Sequence, residues 1–108
     1  MSENTENTEN TGKIDEPFYH RADALIQLAN EQLKDAPREQ VCASIMFAAA
    51  RFNAWTNACD IQSSEKMALH RDQAIAYFAE QYRLMLEHHM DDYIAGFDKY
   101  MGIGQPDS

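Results

Sequence analysis

Positive charge is scarce in this chain: nine Lys and Arg stand against eighteen Asp and Glu, for a formal net charge of -9. The deficit is uneven. Residues 1–16 hold five acids against Lys13, and residues 63–108 hold eight acids against four bases. Nucleic-acid binding rests on neutralising phosphates with Lys and Arg, and an acidic surface also repels anionic lipid, so neither partner class is expected. Glycine is rare as well, with Gly12, Gly96, Gly102 and Gly104 the full set, and these make no phosphate-cradling loop. The only cysteines, Cys42 and Cys59, fall on one expected helix roughly 25 Å apart and cannot bridge each other. With no charged-then-apolar leader ahead of them, they read as free thiols of a cytoplasmic protein. Long apolar runs are missing too. The richest stretch, Val41–Cys59, is interrupted by Arg51, Asn53 and Asn57 and falls short of the ~20 clean residues a membrane span needs.

What is present is helical. Apolar residues at 44% and charged residues at 25% suit one folded domain in 108 residues, and no strand alternation occurs. Residues 3–11 repeat Glu-Asn-Thr three times and bury nothing, so 1–15 is expected to be a disordered tail. Residues 16–103 form the helical domain, and 104–108 should fray. Helix one opens at Pro17 behind Asp15 and Glu16, carries Phe18, Ala22, Leu25, Ala29 and Leu33 at helical spacing, and stops near Asp35 ahead of Pro37.

Helix two carries Val41, Ile45, Ala48, Phe52, Trp55 and Cys59 at steps of four and three, flanked by a second seam of Cys42, Met46, Ala49 and Asn53. Two seams imply two neighbours. Helix three starts at a serine cap, Ser63 or Ser64, and runs towards a Schellman stop at Gly102 with Ile103 after it. The expected fold is all-α: an antiparallel three-helix bundle whose long third helix extends beyond it.

Counted outward from tight turns, everything after Leu86 overhangs the end of helix two by roughly 22 Å. The overhang bears Met90, Tyr93, Ile94, Phe97, Tyr100 and Met101, an apolar stripe that some partner must cover. Two chains pairing across a two-fold axis would cover it. A break near His88 or Gly96, folding the last turns back as a short fourth helix, would also do so, as would a different protein.

Arg51 has no acid three or four residues away on its own helix. It either bonds across helices to Asp23 or Asp72, snorkels to solvent, or forms an anion pocket with Asn53, Trp55 and His70. Metal chemistry has little support, because Pro17, Met67, Met85 and Leu86 stand where a Glu-x-x-His pair needs its glutamate before His20, His70, His88 and His89. Glu16 with His20, and His88 and His89 with Asp91 or Asp92, offer at most two ligands from one helix. No metal site or cofactor is expected. Ser44, Ser63 and Ser64 lack a glycine elbow, and neither cysteine has a histidine within a turn, so the sequence gives no support for enzymatic activity.

The run Ala48-Ala49-Ala50-Arg51-Phe52-Asn53-Ala54, with Phe18-Tyr19 and Ala29-Asn30 before it and Tyr82 and Tyr93 after it, resembles the bacterial family catalogued as domain of unknown function 3144. The resemblance spans roughly residues 18–101. It implies a small helical bacterial protein and brings no established activity, substrate or catalytic residue. The expected role is therefore a homo-oligomeric protein-interaction or scaffold module. The alternative is a small-ligand-binding protein or enzyme built around Arg51.

Overall fold

A computed structural model describes residues 14–102. The expected tail through residue 13, Ile103 and the expected frayed end at 104–108 lie outside the described residues. Five helices follow in order: α1 (Glu16–Gln32), α2 (Arg38–Ile61), α3 (Ser64–Leu69), α4 (Arg71–Ala95) and α5 (Phe97–Met101). There is no strand among the described residues, so the chain is all-helical. It divides into two units, Met1–Ala50 and Arg51–Ser108, with the boundary inside α2.

In the first unit, Asp15 caps α1: its extended backbone frees the carboxylate to accept the Phe18 N–H at 3.0 Å, while Pro17 occupies the first turn at no cost in donors. The helix ends at Leu33, whose N–H is shared between the Ala29 and Asn30 carbonyls. A tight turn then satisfies Lys34, Asp35 and Ala36 through Glu31 and Gln32. The Pro37 carbonyl accepts from Val41 at 3.1 Å, opening α2 where the proline rule places it. Val41 is the one buried side chain among the described residues, with Phe18, Ala29 and Ala36 half-buried. Ala22 and Leu25, expected on the same apolar face as Phe18 and Ala29, are exposed.

In the second unit, α2 ends on Gln62, a non-glycine residue in the left-handed region at φ 63, whose N–H bonds to the Ala58 carbonyl at 2.8 Å. Ser63 then caps α3, its Oγ accepting from the Lys66 N–H at 3.2 Å. The expected third helix is broken twice. The first break falls at His70, at φ -101 and ψ 13, a place with neither glycine nor proline to announce it. The second falls at Gly96, one of the two expected positions, and the other, His88, lies within the unbroken α4. Gly102, at φ 74, terminates α5 as a glycine stop does. No helix among the described residues is long and apolar enough to cross a membrane.

Candidate functional site

The second unit contains two features capable of recognition. The first is a groove of about 350 Å³ between the last turns of α2 and the first turns of α4, lined by Thr56, Asn57, Asp60, His70, Tyr77 and Phe78 among others. On α2 these positions share one side, because steps of three and four residues return to the same face. The Thr56 hydroxyl donates to the Asn53 carbonyl at 2.8 Å. His70 sits at the α3–α4 break with its Nδ1 3.3 Å from the Gln73 Oε1.

The residues expected to form an anion pocket are not all in this groove. His70 lines it, and half-buried Asn53 lies on the groove side of α2. Arg51 and Trp55, four residues apart and on the opposite side at 100° per residue, are exposed. Trp55 meets the Phe52 ring at 5.5 Å. Asp72, one of the two acids expected to answer Arg51, accepts a 2.8 Å bond from Arg71. The ionisable groups in the groove wall are Asp60, His70 and Tyr77, a set that carries no guanidinium or ammonium to hold an anion.

The second feature is the stripe. Met90, Tyr93, Ile94, Phe97, Tyr100 and Met101 are each between 43% and 70% exposed. Two contacts span the Gly96 break. Tyr93 and Tyr100 stack at 4.7 Å, and the Tyr100 hydroxyl donates to the Asp92 carboxylate at 2.8 Å. The Tyr100 ring lies so close over Gly96 that a Cβ there would meet it at 3.1 Å. The Asp92 carboxylate accepting its proton, and repelling a phenolate, pushes the Tyr100 pKa above its ordinary value.

Beside the stripe, Arg83 grips Glu80 with a two-pronged fork, 2.7 Å to one carboxylate oxygen and 3.1 Å to the other, and also bonds Glu87. The fork lowers the Glu80 pKa and raises that of Arg83. Neither this cluster nor the Asp92–Tyr100 bond is among the expectations drawn from the sequence. The spacings of three and four around Arg83 were readable there as helical ion pairs. The Asp92–Tyr100 separation of eight matches no standard pair. His88 and His89 meet edge to face at 5.1 Å, and no group of three or more His, Cys, Asp or Glu side chains gathers as a metal site among the described residues.

The family model described as a protein of unknown function (DUF3144) matches residues 18–94. Among solved structures, the NMR structure of the protein NB7890A from Shewanella sp is similar to this chain at 35% sequence identity and a TM-score of 0.69. The match covers 85% of this chain and 98% of that one. No curated protein matches the chain significantly.

Proposed function

The chain belongs to the DUF3144 family, and from that premise we propose that it is a homo-oligomeric protein-interaction or scaffold module of the bacterial cytoplasm. One observation carries the reading: the apolar stripe from Met90 to Met101 is exposed, as are Leu25, Phe47, Phe52 and Trp55, while Val41 is the one buried side chain among the described residues, so much apolar surface is left for association to cover. Large apolar side chains held half in water are an unspent driving force for association, at about 25 cal/mol per Å² of apolar surface removed. In this reading residues 16–103 form an antiparallel three-helix bundle with α2 in the middle, and a second copy covers the stripe.

The test is the solution mass at micromolar concentration by sedimentation equilibrium. A dimer or larger species that Tyr93→Asp or Phe97→Asp turns into a monomer with unchanged helicity is expected. A wild-type monomer at those concentrations defeats the reading.

A small-ligand role is supported by the groove rather than by the surroundings of Arg51. Asp60, His70 and Tyr77 suit a neutral or cationic polar ligand. In that reading Asp60→Asn, and not Arg51→Met, removes binding, measured as ligand-induced thermal stabilisation.

A further inference from the structure

Along α4 and α5 the positions Ala79, Arg83, Leu86, Met90, Tyr93 and Phe97 recur at alternating steps of four and three, and all six are exposed. This is the spacing of a knobs-into-holes seam, and it extends the stripe back by several turns beyond the overhang. The side chains are unevenly sized along it. Small residues, Ala76 and Ala79, lie in the first half of α4, and large rings, Phe97 and Tyr100, lie on α5.

We propose that this seam takes a second copy of itself turned end for end, about a two-fold axis midway between Leu86 and Met90. The inference rests on the self-association reading above and adds the geometry of the pair. In an antiparallel pair with this axis, Leu86 meets Met90 of the second copy, and Ala79 meets its Phe97. Ala76 likewise faces Tyr100, and Arg83 faces the Tyr93 ring, a cation over an aromatic face. Three of the four layers then join a small residue to a large one or two of middling size, which is how a seam fills without voids or clashes, and the fourth sets Arg83 on Tyr93.

The parallel alternative stacks each residue on its own copy. It sets Phe97 on Phe97 and Tyr100 on Tyr100 at one end and leaves the alanines facing each other at the other. It also brings two Arg83 side chains together in the seam, each already bound to its own Glu80 and Glu87. Like charges facing each other across an interface core are strongly unfavourable.

The large side chains supply part of the area a second copy needs. The larger side chains of the stripe are about half exposed, on the order of 100 Å² each, which sums to several hundred Å² per chain. A stable pair needs roughly 800 Å² from each partner.

The test is a size swap read as dimer dissociation constant by sedimentation, with helicity checked by circular dichroism. Ala79→Phe should clash with Phe97 of the second copy, and Phe97→Ala should leave a void beside Ala79. Each should weaken the dimer by about ten-fold or more. The double variant Ala79→Phe/Phe97→Ala restores a small-on-large layer and should return to within about three-fold of the wild type. A double variant as weak as the product of the two singles overturns the end-for-end arrangement while leaving self-association standing.

Spin labels in a Cys42→Ser/Cys59→Ser background supply a second measurement that perturbs no seam residue. Labels at Asp91 should lie about 9 Å apart along the axis and labels at Asp98 about 30 Å apart. Near-equal short separations at both positions indicate a parallel pair and overturn the proposal. A monomeric wild type defeats the functional reading itself, and the pairing with it.

Discussion

The side of α4 that borders the groove and the side that bears the stripe carry comparable apolar side chains in different settings. On the groove side Ala74, Phe78 and Gln81 are half-buried, among polar neighbours contributed by α2. About a third of a turn away, Leu86, Met90 and Phe97 are 44%, 55% and 51% exposed. The groove side makes part of its contacts within the second unit of the chain, with Tyr77 there still 59% exposed, whereas the stripe is larger and more aromatic. A helix with two apolar faces makes two sets of contacts, and the larger, more aromatic face has more surface to bury against another helix.

The sharpest way to break this contrast is to charge the stripe. Phe97→Asp places a carboxylate in the proposed interface core and should weaken self-association by about 100-fold or more, with little change in helicity. A matching substitution on the groove side, Gln73→Ala, should leave the solution mass unchanged. If both variants dissociate the oligomer equally, the two faces do not differ in role and the contrast fails.

Next in size is Phe78→Ala. Full burial of a phenylalanine makes its truncation cost 3–5 kcal/mol, and Phe78 is only half-buried, so about 2 kcal/mol is expected in urea-induced unfolding. Its effect should fall on the stability of the second unit rather than on dimer affinity. An unchanged midpoint would mean that the groove side contributes nothing to the fold.

Gln62→Gly should act in the opposite direction. Gln62 holds φ 63, a conformation in which a side chain costs energy and glycine does not, so the variant should gain about 0.5 to 1 kcal/mol. Thermal unfolding checks the sign. A loss would indicate that the extra freedom glycine brings to the unfolded chain outweighs the relieved strain.

The helical class, the proline starts, the serine cap and the glycine stop were legible because they depend on local chemistry. Asp15 before Pro17, Pro37 before α2, Ser63 before α3 and Gly102 after α5 each act through neighbours within four residues. The His70 break was not legible, because a residue such as His70 carries no breaker signature. The left-handed Gln62 was hidden for the same reason. The candidate pocket shows the other limit. Nearness in sequence suggests Arg51 and Trp55 as partners of Asn53, yet a helix turns 100° per residue and separates them onto opposite sides. The stripe is legible because its residues share one face, and the proposed backward extension is not, because Ala76, Ala79 and Arg83 do not look like interface residues one at a time.

The smallest effect expected is at the Gly96 break, and it reports whether the stripe stays continuous there. Tyr100 donates to Asp92 and stacks on Tyr93, and its pKa is held above the ordinary tyrosine value chiefly by that hydrogen bond, then by repulsion from the carboxylate. A group whose folded pKa is raised contributes its stabilisation below the unfolded pKa and loses it as pH climbs through the folded one. The latch should therefore be fully formed at neutral pH and open in the alkaline range, above the pH at which an unperturbed tyrosine ionises. A tyrosinate absorbance titration should show one late-titrating tyrosine that Tyr100→Phe removes and Asp92→Asn shifts back towards the ordinary value. Because the group is exposed, salt should shrink the shift. If all tyrosines titrate together in the wild type, the hydrogen bond does not persist in solution, and α5 is not held in line with the stripe by Tyr100.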